Sequence, residues 1–246
     1  MENLKPAEKK YFIYEKIDET KDVLVIRFKP EDGKPLNFKS GMFIMISGID
    51  KSTGKIMPAK AFSIASDPAS PILELLAAKE HPVNNTMHKT HFLDANINDP
   101  FIVKGPYGQF SFEVDRDKKV LFIAGGTGLA PFLSMLRQIK RLSANIDAVL
   151  FYSVRYPTDI IMKNELIELG NQLKLKEVIT VTRPQPNDNW SGLTGHINVD
   201  MIKAQCSDYS EREIYICGPL AFVKAMQDCL NSLGVKKENV KADIWG

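Results

Sequence analysis

The chain has 246 residues, 44% hydrophobic and 25% charged, which fits a globular protein of one large domain or two medium ones. A formal net charge of +2 is too small to drive binding to nucleic acid or to an anionic membrane. Cysteines occur only at 206, 217 and 229, with no C-x-x-C pair. That pattern excludes a cysteine-held iron–sulfur cluster and predicts reduced thiols in a cytoplasmic protein. The polar start MENLKPAEKKYF has no apolar signal region, and the longest uncharged run, 120–136, is interrupted by Gly and Pro. No membrane span is therefore expected. His88 and His91 lack a nearby third ligand, and no metal site is expected there.

Residues 1 to about 115 read as β structure. Tyr11–Ile17, Val23–Phe28, Phe43–Ile46, Ile72–Ala78 and Phe101–Val103 are short apolar or β-branched runs. Gly33, Gly48, Gly54 and Asp99–Pro100 separate them. Such runs predict an antiparallel barrel or sandwich. Glu80–Asn96 is the one segment with room for a short helix. The charged run DRDKK then marks a boundary, giving domains 1–116 and 117–246. Beyond it, Val120–Ala124, Val149–Ser153, Val178–Val181 and Ile214–Cys217 read as strands. Leu129–Leu142, Ile160–Leu173 and Ala221–Leu233 read as helices. Strands alternating with helices predict a parallel sheet in an α/β domain.

The stretch KVLFIAGGTGLAPFLSMLR, 119–137, carries the first chemical signal. A buried strand runs into Gly125, Gly126 and Gly128, and Pro131 suits the first turn of a helix. Free N–H groups at such a helix start, with its positive dipole end, suit a phosphate. Ligands of parallel sheets lie beyond the C-terminal strand ends, where Gly125–Gly128 and Cys217-Gly218-Pro219 both fall.

The order of motifs narrows this. Lys60-Ala-Phe-Ser-Ile-Ala-Ser66 precedes Gly105-Pro-Tyr-Gly-Gln-Phe110, then Gly125-Gly-Thr-Gly-Leu-Ala-Pro131, then Cys217-Gly-Pro219, and the sequence closes on Asp243-Ile-Trp-Gly246. Over nearly its whole length the chain resembles the ferredoxin–NADP reductase superfamily. The resemblance implies an N-terminal antiparallel flavin-binding β-barrel followed by a parallel-sheet NAD(P)-binding α/β domain.

It also implies roles for particular residues. The superfamily's Arg-x-Tyr-Ser flavin motif corresponds to Lys60-x-Phe62-Ser63. Ser63 is implied near flavin N5, Phe62 against the isoalloxazine, and Lys60 at the flavin phosphate, where an ammonium replaces a bidentate guanidinium. Thr90 stands in for the second phosphate-binding residue, without the usual preceding Gly. FAD is implied rather than FMN. Gly125, Gly126 and Gly128 approach the dinucleotide pyrophosphate, and Thr127 the nicotinamide side. Cys217, followed by Gly218 and Pro219, lies near the nicotinamide carbon that gives up hydride. Ser153 and Arg155 follow the second strand of the domain and Arg183 the third; the two arginines favour the 2′-phosphate of NADPH over NADH. Asp243 is implied to orient the nicotinamide or relay a proton. Trp245 is implied to cover the flavin and move aside for hydride transfer. The bland alternatives are an ordinary glycine turn, a buried structural Cys217, surface arginines and a core Trp245.

The function implied is hydride exchange between NAD(P)H and flavin, with single electrons passed to a separate carrier such as ferredoxin or flavodoxin. A free-flavin reductase is the alternative, since Lys60 and Phe62 both weaken the tight-binding motif. A non-fused electron-transfer subunit of a larger oxidoreductase complex is a further one.

Overall fold

Short runs rich in apolar and β-branched residues set most of the first six strands: β1 (Ala7–Thr20), β2 (Val23–Pro30), β3 (Phe43–Gly48), β4 (Lys60–Ser63), β5 (Leu73–Ala78) and β6 (Pro100–Tyr107). The computed structural model describes residues 4–79 and 92–245, and for Trp245 the backbone only. The expected short helix within Glu80–Asn96 therefore falls mostly outside the described residues. The six strands pair antiparallel in the order β4-β3-β6-β1-β2-β5. An antiparallel bridge from Ile64 to Leu75 joins the two outer strands and closes the sheet into a barrel. Pairing across this seam leaves less of the two outer strands open to extension by another chain. Leu24, Ile26 and Phe28 on β2, Ile44 and Ile46 on β3, and Leu73 and Leu75 on β5 point every second side chain into one core. The Tyr11 hydroxyl, buried among them, accepts a hydrogen bond from the Leu36 amide at 3.0 Å.

The second sheet is wholly parallel. Its strands are β7 (Lys119–Gly125), β8 (Asp147–Val154), β9 (Leu175–Val181), β10 (Leu193–Thr194), β11 (Glu213–Pro219) and β12 (Val240–Trp245), in the order β10-β9-β8-β7-β11-β12. The helices are α1 (Ala130–Arg141), α2 (Lys163–Gln172), α3 (Val199–Gln205) and α4 (Leu220–Ser232). β7 and β8 are buried along almost their whole length, as expected of parallel strands covered on both faces. The chain steps outward from β7 through β8 and β9, then returns to lay β11 on the other side of β7. That reversal is a topological switch point, and it falls between β7 and β11.

Both sheets have the architecture the sequence predicts, antiparallel first and parallel second. α3, β10 and β12 are additions. α3 has seven residues and β10 two, too short to show a period, and β12 reads VKADIW with charges interrupting its apolar positions. Two compact units result: the chain up to Phe112 together with Leu133–Gln138, and Glu113–Phe132 together with everything from Ile139 onward. Among the described residues no helix is long and apolar enough to cross a membrane.

At the N-terminal end of the parallel strands, ionic side chains replace apolar packing. Arg212 is buried, and its guanidinium donates to Asp208 at 2.9 and 3.0 Å, to the Asp147 carboxylate at 2.8 Å and to the Asp147 carbonyl at 2.8 Å. The Asp208 carboxyl is held down to about 2, first by its hydrogen bond from Arg212. An aspartate lowered from its unfolded value near ~3.9 stabilises the fold above that pH, and the contribution is lost as pH falls through the folded value. Asp208→Asn is thus expected to lower the thermal midpoint at pH 7 by about 3 °C. The gap from wild type should close as pH falls from about 4 to about 2. Equal midpoints at pH 7 would remove Asp208 from this role.

Candidate functional site

In the parallel unit the site grows from the end of β7. Gly126 has φ of 55°, in the left-handed region, and opens a 3-10 turn, Gly126–Leu129, that leads into α1. Gly128 lies directly against β11: a Cβ there would run into the carbonyl of Cys217 and the Cα of Gly218. A Cβ on Gly125 or on Gly218 would instead strike the ring of Phe222, at 2.9 and 2.8 Å. Gly125, Gly128 and Gly218, with Phe222, therefore bring the ends of β7 and β11 into close contact at the switch point. Thr127, half-buried, sits within the turn, and its carbonyl accepts the Ala130 amide.

Cys217 pairs in register with Ala124 of β7 on one side and Asp243 of β12 on the other. It is fully buried, and its thiol donates to Asp243 Oδ2 at 3.9 Å. Burial first, and then the neighbouring carboxylate, push this thiol well above its ordinary value. A thiol in that environment stays neutral and is a poor nucleophile. Its small polarizable side chain suits close approach by an apolar ring. Pro219 pairs with Trp245 in the same ladder, which puts the Trp245 backbone one step beyond Ile244 along the sheet edge.

Ser153 is buried at the end of β8, between Gly125 and Thr180 in register. Just beyond, the Arg183 amide donates to the Arg155 carbonyl at 2.8 Å, which brings the two arginines together. Arg155 does not stand alone: its Nε donates to Asp159 Oδ2 at 3.2 Å. Asp159 also accepts from the Tyr156 amide at 3.3 Å. An acid thus sits at the tip of the second strand of this unit, where the sequence alone put only arginine. It was missed because it lies four residues past Arg155 along the chain, and a 3-10 turn, Pro157–Asp159, folds it back.

In the barrel, β4 carries the other motif. Cross-strand register places Lys60 opposite Ile46 and Phe62 opposite Ile44, both core positions, while Ala61 faces Met45 and Ser63 faces Phe43. Phe62 accordingly packs inward against the barrel core, with its ring edge-on to Phe92 at 5.2 Å. Lys60, half-buried, shares that side of the strand by register. Ser63 points to the other face, beside Phe43, whose ring lies 5.7 Å from that of Tyr107. Phe43 and Tyr107 were not singled out from the sequence, because only strand register brings them beside Ser63. Thr90 lies outside the described residues. Among the described residues no cluster of three or more His, Cys, Asp or Glu is arranged to hold a metal ion.

A closed antiparallel barrel and a parallel sheet with a glycine turn at its switch point form a two-part nucleotide-binding oxidoreductase fold. Residues 122–228 match the family described as oxidoreductase NAD-binding domain. Across 94% of its length the chain is 28% identical to the glycine betaine monooxygenase reductase subunit of Chromohalobacter salexigens, and it spans 62% of that protein. The cytochrome b5 reductase domain of Ulva prolifera nitrate reductase shares the fold with a TM-score of 0.80 at 25% identity, over 96% of this chain and 97% of that one. A ferredoxin NADP+ reductase from Neisseria gonorrhoeae does so with a TM-score of 0.76 at 21% identity, over 98% of this chain and 99% of that one. Residues 122–228 thus match an oxidoreductase NAD-binding domain, and the chain shares the two-part fold of these reductases.

The glycine contacts are open to direct test. Gly128→Ala forces a methyl group into backbone, and a destabilisation of about 2–3 kcal/mol is expected. Gly126→Ala meets open space but keeps a left-handed φ, at about 1 kcal/mol. Thermal melts that rank Gly126→Ala as the worse of the two would contradict the close approach at Gly128.

Proposed function

We propose that this protein is a flavoprotein reductase that passes electrons from NAD(P)H to a separate one-electron carrier such as ferredoxin or flavodoxin. The observation that carries the reading is the switch point itself, where Gly125–Gly128 meets Cys217–Pro219 and Asp243 lies beside a buried neutral thiol. The reading places the flavin on residues 1–116 and the dinucleotide on 117–246. The name of the Chromohalobacter relative, a reductase subunit, supports transfer to a separate protein, and is compatible with service as one subunit of a larger oxidoreductase. Three free cysteines support a reducing compartment, which we take to be the cytoplasm.

The residues divide as follows. Lys60 is assigned to the flavin phosphate, with Thr90 beside it by resemblance. Ser63 is assigned to flavin N5, and Phe43 and Tyr107, on its face of the sheet, supply nearby aromatic surface. The 3-10 turn at Gly126 offers its N–H groups to the pyrophosphate. Cys217 leaves room for the nicotinamide, Asp243 orients it, and Trp245 covers the flavin until the nicotinamide displaces it. FAD, held by these residues, would supply the chemistry that links a two-electron hydride donor to one-electron acceptors. The protein's part is alignment, because a hydride moves only between groups held near contact.

Purified protein is expected to be yellow and to retain FAD through gel filtration. It should lose its visible absorbance on anaerobic addition of NADH or NADPH and reduce ferricyanide in turnover. The inward packing of Phe62 and the lysine at position 60 favour one competing reading, a free-flavin reductase. Colourless protein that oxidises NAD(P)H only with added flavin would establish that reading instead.

The donor is decided around Arg155. The sequence favours NADPH through Arg155 and Arg183, but the Asp159 carboxylate occupies Arg155 and would repel a 2′-phosphate while accepting from a ribose 2′-hydroxyl. We therefore infer that NADH is the better donor. Asp159→Ala should raise kcat/KM for NADPH relative to NADH by about tenfold, equivalent to about 1.4 kcal/mol. An unchanged ratio would show that Asp159 does not set the choice.

A further inference from the structure

Two backbone carbonyls just past Ser63 are held by side chains that the reading above does not use. Glu74, on β5, is 4% exposed and fully engaged. Its Oε1 accepts from Arg137 Nη1 at 2.6 Å and its Oε2 from Arg27 Nε at 2.6 Å. Arg27 in turn donates to Glu15 Oε2 at 2.7 Å. Arg137 Nη1 also donates to the Ala65 carbonyl at 2.8 Å, and Ser134 Oγ donates to the Ser66 carbonyl at 2.7 Å. Two more bonds tie the same segment to β5: the Ala65 amide donates to the Glu74 carbonyl at 2.9 Å, and the Glu74 amide to Ser66 Oγ at 3.2 Å. Every residue named here belongs to the first compact unit, which includes Leu133–Gln138.

The arrangement has a direction. Ser134 and Arg137 are three residues apart on α1 and share a helix face. Both reach the segment that follows β4, one residue after another. Ile64, between Ser63 and this clamp, is pinned in the barrel core and bridged to Leu75. Ser63 therefore ends a strand, paired with Phe43, whose continuation is held by Arg137 and Ser134 and tied to Glu74. Replacing such a buried ionic cluster with apolar residues often leaves stability unchanged or raises it, so stability alone does not account for it. Holding a functional side chain to within about half an ångström does require rigid support behind it.

We propose that Arg137, with Ser134, is a positioning residue for the flavin: the two side chains fix Ala65 and Ser66 and so hold Ser63 where its hydroxyl meets the flavin. The inference rests on the assignment of Lys60–Ser66 to the flavin site. Glu74 serves as the anchor that orients Arg137, and Ser134 adds a second, uncharged tether.

The test uses the full chain loaded with FAD and the variants Ser134→Ala, Arg137→Lys and their combination. Ser134→Ala removes one hydroxyl and leaves the ionic cluster in place. Three quantities are read: the thermal midpoint of the apoprotein, the FAD dissociation constant from flavin fluorescence quenching, and the rate of anaerobic bleaching by NADH at saturating FAD. The expected result for Ser134→Ala is a midpoint within about 2 °C of wild type, with FAD affinity and bleaching rate each lower by about threefold. Arg137→Lys keeps the charge but its shorter side chain stops short of the position of Nη1, the one nitrogen that serves both Glu74 and Ala65, and a loss of about tenfold or more is expected. If Arg137→Lys fails to fold, Ser134→Ala decides alone. Wild-type affinity and bleaching rate in a folded Ser134→Ala, or an affinity loss fully explained by a lower midpoint, overturns the positioning role. Wild-type protein that binds no FAD at all overturns the flavin assignment itself, a different and separable outcome.

Discussion

The contact of Gly128 with the Cys217 carbonyl is the constraint on which the nucleotide-binding end of the molecule depends. It exists because β11 returns to pair with β7 rather than continuing outward beyond β9, which puts the ends of both strands side by side at the switch point. Close approach there requires backbone against backbone, and only glycine at 128 permits it. The same approach sets Cys217 between Ala124 and Asp243, where burial keeps its thiol protonated. On the proposed function, the neutral, compact thiol is what a flat ring would lie against, and the carboxylate one strand away would partner its polar substituent. Substrate alignment at this end thus follows from strand order, before any side-chain chemistry is considered.

The barrel obeys a different constraint. Its strands must close, and closure is made at the end of β4, where Ile64 bridges to Leu75. Closure fixes which side chains of β4 face inward. Lys60 and Phe62 share the side of Ile44 and Ile46, so Ser63 is left on the face of Phe43 and Tyr107. A motif that reads in sequence as four residues with one purpose is divided by the pleat between core and surface.

Much of this is legible in the sequence, for identifiable reasons. The long apolar runs of β7, β8 and β11 declare a parallel sheet because both faces are buried, and the glycine turn declares itself because it follows one of them. Features that rest on register or on a fold-back are not legible. Asp159 reaches Arg155 through a 3-10 turn, Phe43 meets Tyr107 only across β3 and β6, and Glu74 gathers Arg27 and Arg137 from positions 47 residues before it and 63 after it. The run DRDKK reads as a solvated linker, yet Asp117 within it is buried and accepts hydrogen bonds from Tyr215 at 2.6 Å and Arg116 at 2.8 Å. Charge in a sequence predicts exposure only until a buried donor is folded onto it.

The proposed function requires hydride to pass from a dinucleotide held on residues 117–246 to a flavin held on residues 1–116. The most direct test is anaerobic stopped-flow mixing of FAD-loaded protein with NADH deuterated at the transferred position of C4. Flavin absorbance should bleach in one fast phase that slows several-fold with the deuterated donor, and the slowing should persist in Trp245→Ala. Bleaching at the same rate with either donor, or no bleaching with a protein that holds its FAD, would contradict it.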